Sequence, residues 1–166
     1  MPLRVKQTHN MSAVTSIHDF ELPGIDGKPI LLAGFAGKKL LLVNTASECG
    51  YTPQYTQLQE LSTHFTNSLA VVGCPSNDFG NQEPGTNEEI AVFCSRNFGV
   101  SFPLSAKIKV TGPDKHPLYQ WLYEQNQQRE VRWNFQKFLF DEEGKLLKVF
   151  GSGTDPLGDE ILSFLT

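Results

Sequence analysis

A buried strand that enters a helix through a cysteine-bearing turn is written into residues 38–55, KKLLLVNTASECGYTPQY. The apolar run Leu40-Leu41-Leu42-Val43 is too short for a solitary helix and is bounded by polar residues, the pattern of a strand covered on both faces. Small and polar residues follow, then Cys49-Gly50 and Thr52-Pro53. Thr is a good helix N-cap and Pro suits the first helical position, so a helix is expected to start here. Tyr55, Leu58, Leu61 and Phe65 recur at three- and four-residue steps and form its inner face. Cys49 then lies in a strand-to-helix turn. There the positive end of the helix dipole favours the nucleophilic thiolate, while the neighbouring Glu48 carboxylate works against it. Two readings stand at this point: a nucleophile, or a small apolar residue filling a turn.

The remaining pattern extends this unit into an α/β fold. His18–Leu22 alternates in polarity, and Asp26-Gly27 marks a turn before Pro29–Leu32, which together predict an N-terminal β-hairpin. Leu69–Cys74 reads as a second buried strand ending in a dense turn over residues 75–85. Thr86-Asn87-Glu88-Glu89 is a capping box that opens a second helix through Phe98, with Ile90, Phe93 and Cys94 on its apolar face. Lys107–Val110 alternates and is expected as a short strand. Pro117–Leu122 begins a third helix. Val131–Phe140 and Lys145–Phe150, separated by Asp141-Glu142-Glu143-Gly144, predict an antiparallel hairpin, and Pro156–Leu165 a closing helix. Strands alternating with helices imply parallel crossovers, and the late hairpin adds antiparallel strands. The expected architecture is a mixed sheet with helices on both faces, its site at the carboxyl edge where Cys49 lies.

Length and charge narrow the function classes. The 166 residues suit one domain, expected over residues 16–166, behind a flexible extension at residues 1–15. A net charge of −4 with no basic run does not favour nucleic acid. No apolar stretch reaches membrane-spanning length. The leader lacks the apolar core of a secretory signal; it reads as an untidy start with Met11 as a second initiation point, a short organellar transit segment being the alternative. Three cysteines, Cys49, Cys74 and Cys94, are too few for a disulfide scaffold and are not spaced for zinc, so no metal or cofactor is expected. Reduced thiols in a cytoplasm-like compartment fit best.

Gln82, Trp133 and Asn134 fall in other turns or strand starts, and each carries uncharged N–H donors that suit a thiolate and a developing oxyanion. Each also has a plain structural reading: solvated loop residue, core aromatic, turn former. The four histidines, His9, His18, His64 and His116, sit in a leader, a hairpin, a helix and a turn, none with a reason to approach Cys49 as a hydrolase base would.

Three stretches turn these separate residues into a constellation. VNTASECGYTPQY, FGNQEPGTNEEI and WNFQKFL resemble, in order, the signature stretches of the glutathione peroxidase family, and the resemblance runs from about Ile17 to Leu165. It implies a thioredoxin-like fold and reduction of hydroperoxides, with the family's catalytic tetrad falling on Cys49, Gln82, Trp133 and Asn134. It implies Cys49 as the peroxidatic residue, passing through a sulfenic acid. In cysteine-type members a resolving cysteine in the helix after the second strand forms a disulfide that thioredoxin reduces, and AVFCSRNFGVSFP places Cys94 there. Ser76 stands where many relatives have a cysteine, and Cys74, two residues earlier, reads as a core thiol. A disulfide requires Cα atoms within about 7 Å, so the second helix is expected to unwind locally before Cys94 meets Cys49. The loop that tetrameric, glutathione-using members carry before the Trp-Asn-Phe stretch is missing, which implies a monomer with an open site, suited to bulky lipid hydroperoxides, and thioredoxin ahead of glutathione as reductant. Two rival classes remain: a peroxide sensor that relays oxidation from Cys49 to a partner protein, and a non-catalytic thioredoxin-fold binding module.

Overall fold

The computed structural model describes residues 16–166; the extension expected at residues 1–15, with His9 and Met11, lies outside them. The elements run β1 (Glu21–Leu22), β2 (Ile30–Leu31), β3 (Lys39–Thr45), α1 (Gln54–His64), β4 (Leu69–Pro75), α2 (Asn87–Phe98), α3 (Pro117–Gln125), β5 (Lys137–Phe140), β6 (Leu146–Phe150) and α4 (Asp159–Leu162). β1 and β2 form the small antiparallel hairpin expected near the N-terminus. The main sheet has the order β4-β3-β5-β6. β3 pairs in parallel with β4 and antiparallel with β5, so the sheet is mixed.

Alternation along β3 divides the core in two. Leu40 and Leu42 join Ala70, Val72, Phe138 and Phe140 on one face, beneath Leu118, Tyr119, Trp121 and Leu122 of α3. Leu41 and Val43 join Val71 and Leu139 on the other, beneath Tyr55, Leu58 and Leu61 of α1, Ile90 and Cys94 of α2, and Ile161 of α4. Helices thus cover both faces, as the sequence pattern implied. Each fully buried aliphatic or aromatic side chain contributes about 1.5–3 kcal/mol, so polar substitution anywhere in Leu40–Val43, all 0% exposed, is costly.

Four expectations need correction. Lys107–Val110 is not a strand: the N–H groups at its two ends are taken by side chains, Lys107 N donating to Asn87 Oδ1 (2.9 Å) and Val110 N to Asp78 Oδ2 (2.7 Å). The segment meets only the end of β4, Ile108 N donating to Pro75 O (3.0 Å), and the parallel bridge to Gly73 falls earlier in the chain, at Leu104. The first strand of the late hairpin starts only at Lys137, because residues 133–135 are diverted to the site described below. The closing helix is one turn, Asp159–Leu162, since Asp155 accepts from Leu157 N and Gly158 N and holds a turn ahead of it. Thr52 does not cap α1, which begins at Gln54 with no side-chain cap.

Candidate active site

The chain leaves β3 at Thr45 and makes a turn that Thr52 ties together. Its hydroxyl accepts from Cys49 N (2.9 Å) and donates to Ala46 O (2.8 Å), so both ends of the turn hang on one side chain. Backbone bonds of the i→i−3 kind, Thr52 N to Cys49 O (3.1 Å) and Tyr55 N to Thr52 O (3.0 Å), then tighten the chain into α1. Cys49 thus lies immediately ahead of the helix, buried at 9% exposure. Its Sγ accepts a hydrogen bond from the backbone N–H of Tyr51 (3.3 Å).

The turn after β4 is joined to this one through its main chain. Glu48 N donates to Gln82 O at 3.0 Å. Asn134 Nδ2 donates to Gln82 Oε1 at 2.9 Å, which directs the amide oxygen of Gln82 away and leaves its own N–H groups as donors. Residues 133–135 are held against the end of β3: Asn44 Nδ2 donates to Trp133 O (3.0 Å), and Phe135 N donates to Asn44 O (2.6 Å). Phe135 sits at φ 66°, a left-handed conformation costly for a bulky residue, and is fully buried against the ring of Tyr55. That strained, packed residue fixes the direction of its neighbour Asn134. Trp133 packs on Phe79 with ring centroids 5.7 Å apart. Gly80 separates it from Gln82: at φ 67° a Cβ there would lie 3.2 Å from the Trp133 ring and 3.4 Å from Gln82 Cδ. A side chain at this position would wedge the two donors apart.

The structure therefore gathers Gln82, Trp133 and Asn134 and links them to the Cys49 turn. Cys94 is placed separately, on the inward face of α2, fully buried in the same apolar cluster as Cys49. Burial pushes its thiol up to about 11, with the facing Tyr55 hydroxyl opposing the rise. All three cysteines are free. Cys74 lies on the opposite face of the sheet, in the other apolar cluster, and burial pushes it up to about 12. His18 lies in a short 3-10 turn, His64 is exposed at the end of α1, and the Nδ1 of His116 caps α3. Among the described residues no three His, Cys, Asp or Glu side chains gather as a metal would require, and no helix is long and apolar enough to cross a membrane. Sequence reasoning missed Tyr51 N–H and the role of Asn44, because a backbone donor has no signature and a buried Asn at a strand end reads as a turn former.

A family model described as glutathione peroxidase matches residues 17–123, more than half of the chain. The chain belongs to the glutathione peroxidase family. It is 47% identical over 146 residues to a glutathione peroxidase homolog BsaA of Halalkalibacterium halodurans, covering 86% of this chain and 93% of that one. It is 44% identical over 159 residues to the hydroperoxy fatty acid reductase gpx1 of Synechocystis, covering 90% and 93%. Among solved structures, Trgpx in its apo form superposes with a TM-score of 0.70 at 35% identity, over 90% of this chain and 95% of that chain. More distant structures share the fold alone, as does a thioredoxin-like protein from Aeropyrum pernix (TM-score 0.61, 18% identity, 87% and 88% covered).

Proposed function

We propose that this chain is a thiol peroxidase that reduces hydrogen peroxide and organic hydroperoxides through Cys49. The observation that carries the reading is the joined set of donors: Asn134 bonded to Gln82, Gln82 bonded through its main chain to the Cys49 turn, and Trp133 beside both. Cys49 as thiolate attacks the distal peroxide oxygen. The O–O bond breaks, an alcohol or water leaves, and a sulfenic acid remains on Cys49. Uncharged N–H donors on Gln82, Trp133 and Asn134 stabilise the charge that moves from sulfur to the leaving oxygen. The names of two relatives, a hydroperoxy fatty acid reductase and a glutathione peroxidase-like peroxiredoxin of Schizosaccharomyces pombe, support hydroperoxides, lipid ones included, as substrates and a thiol as reductant.

In the second half-reaction Cys94 attacks the sulfenic sulfur and forms a disulfide. The two residues share one apolar cluster, and α2 opens to bring them together. Thioredoxin is the proposed reductant, the chain acting as a monomer in a reducing, cytoplasm-like compartment. The test is hydroperoxide-dependent NADPH oxidation, with thioredoxin and its reductase or with glutathione and its reductase. Activity with thioredoxin alone, lost in Cys49→Ser and in Cys94→Ser, is the expected outcome. Glutathione turnover that survives Cys94→Ser would make Cys94 a core thiol, and rapid Cys49 oxidation without turnover would favour a sensor that passes its oxidation to a partner protein.

A further inference from the structure

Glu83, next to Gln82, is buried in a way that structural carboxylates are not. It is 0% exposed, and neither carboxylate oxygen has a hydrogen-bond partner among the described residues. A buried carboxylate is ordinarily paired or hydrogen-bonded. Its main chain, by contrast, is fully tied: Glu83 N donates to Asn77 Oδ1 (2.9 Å), and Glu83 O accepts from Lys107 Nζ (3.2 Å). The backbone is fixed while the acid group is left free.

Its location gives that freedom a use. Glu83 lines a cavity of about 400 Å³ with Ser47 and Glu48 of the Cys49 turn on one side and Glu89, Ile90 and Phe93 of α2 on the other. The carboxyl therefore lies between the element that carries Cys49 and the helix that carries Cys94. From the turn, the hydroxyl and N–H of Ser47 lean toward it without a well-directed bond, and the Glu48 carboxylate repels it. Lys107 supplies the facing cation, Glu89 a second carboxylate on the cavity wall, and the Tyr55 hydroxyl and Cys94 thiol feel its charge from the core side. Burial raises Glu83 above the usual carboxyl range, against the pull of Ser47 and Lys107. The attacking form of a resolving cysteine is the thiolate, and burial holds the Cys94 thiol above its ordinary range while α2 is closed. Glu83 is a base placed between the two elements that carry the sulfurs, and no histidine lines that cavity among the described residues.

We propose that Glu83 is the proton-transfer group of the resolving half-reaction, an inference that rests on the peroxidase reading above. As α2 opens, the Glu83 carboxylate takes the thiol proton of Cys94 while its sulfur attacks the Cys49 sulfenic sulfur. The S–S bond forms, the S–O bond breaks, and the carboxylic acid returns its proton to the departing hydroxide, which leaves as water. Cys94 sulfur is oxidised, Cys49 sulfur is reduced, and no outside reactant is consumed.

The test uses the reduced full chain, one equivalent of hydrogen peroxide, and acid quench followed by thiol alkylation to time disulfide formation across a pH series. Wild type is expected to speed up through an inflection that belongs to Glu83. Glu83→Gln is expected to slow disulfide formation at least about tenfold, lose the inflection and accumulate dimedone-trappable sulfenic acid on Cys49. Glu83→Asp is expected to keep an inflection. Disulfide formation in Glu83→Gln at the wild-type rate, with the wild-type pH profile, overturns the proposal. If that variant does not fold, Lys107→Met carries the test: loss of the facing cation is expected to move the wild-type inflection to higher pH, and an unmoved inflection overturns the proposal. Absence of sulfenic acid on Cys49 in wild type would instead remove the peroxidase reading, and this inference with it; sulfenic acid without a disulfide in wild type overturns the inference while leaving the first half-reaction intact.

Discussion

Thr52 shows how much one hydroxyl can organise. It satisfies Cys49 N and Ala46 O together while only 5% exposed. Thr52→Val keeps the shape and strands both backbone groups, and is expected to lower stability by about 1–3 kcal/mol, read as an earlier urea midpoint. Its Cys49 is also expected to lose selectivity for peroxide over a bulky alkylating reagent, since the turn that presents it loosens. The residue types of the site were legible beforehand: Cys49, Gln82, Trp133 and Asn134 stand in long motifs that resemble one family. How they are held was not. A Thr ahead of a helix serves equally as a cap or as a turn clamp, and nothing in a one-dimensional pattern distinguishes the two. The Tyr51 N–H that meets Cys49 Sγ is a main-chain group, which side-chain identity does not announce even inside a motif. Glu83 was hidden for the opposite reason, as one of two acidic residues in a polar turn.

At the scale of elements, α2 is the best-specified helix and the one the chemistry asks to move. Thr86 and Glu89 close a reciprocal capping box, and Gly99 ends the helix at φ 61°, devices that contribute about 1 kcal/mol for the cap alone. Cys94 lies midway between them, facing inward. Amide exchange around Cys94 is expected to quicken when one equivalent of peroxide oxidises the protein; equal protection in the reduced and oxidised forms would mean that the helix stays wound and that Cys94 is not the resolving thiol. Both ends of this helix could be read from sequence because capping is local chemistry. Residues 107–110 misled for the converse reason. Their alternation is real, but whether an extended segment joins a sheet depends on what captures its N–H groups, and here Asn87 at the start of α2 and Asp78 in the turn after β4 capture those of Lys107 and Val110.

Across the whole molecule, the late hairpin is tied to the C-terminal segment by a buried amine. Lys137 is 0% exposed and donates to Ser152 O at 2.9 Å, while Gln54 Nε2 reaches the same carbonyl from α1 at 2.8 Å. Burial lowers Lys137 to about 7, with Asp155 partly opposing the fall. Unfolding returns the amine to its ordinary value near 10.5, so between these values the unfolded chain binds more protons than the folded one, and this group's contribution to stability rises with pH. Lys137→Met removes that dependence. The stability of wild type relative to the variant is expected to improve by about 1.4 kcal/mol per pH unit across the window from about 7 to about 10, measured by urea denaturation; parallel profiles would show that the amine keeps its charge in the fold. The division of the core by the sheet has one more consequence. Trp121 is sealed within the face covered by α3, whereas Trp133 packs against both apolar clusters beside the site. With only two indoles in the chain, one emission spectrum contains an internal standard and a reporter: Trp121 registers the integrity of the far core, and Trp133 registers events at the sulfur. The protein is thus labelled by its own sequence for optical kinetics, with no dye to attach.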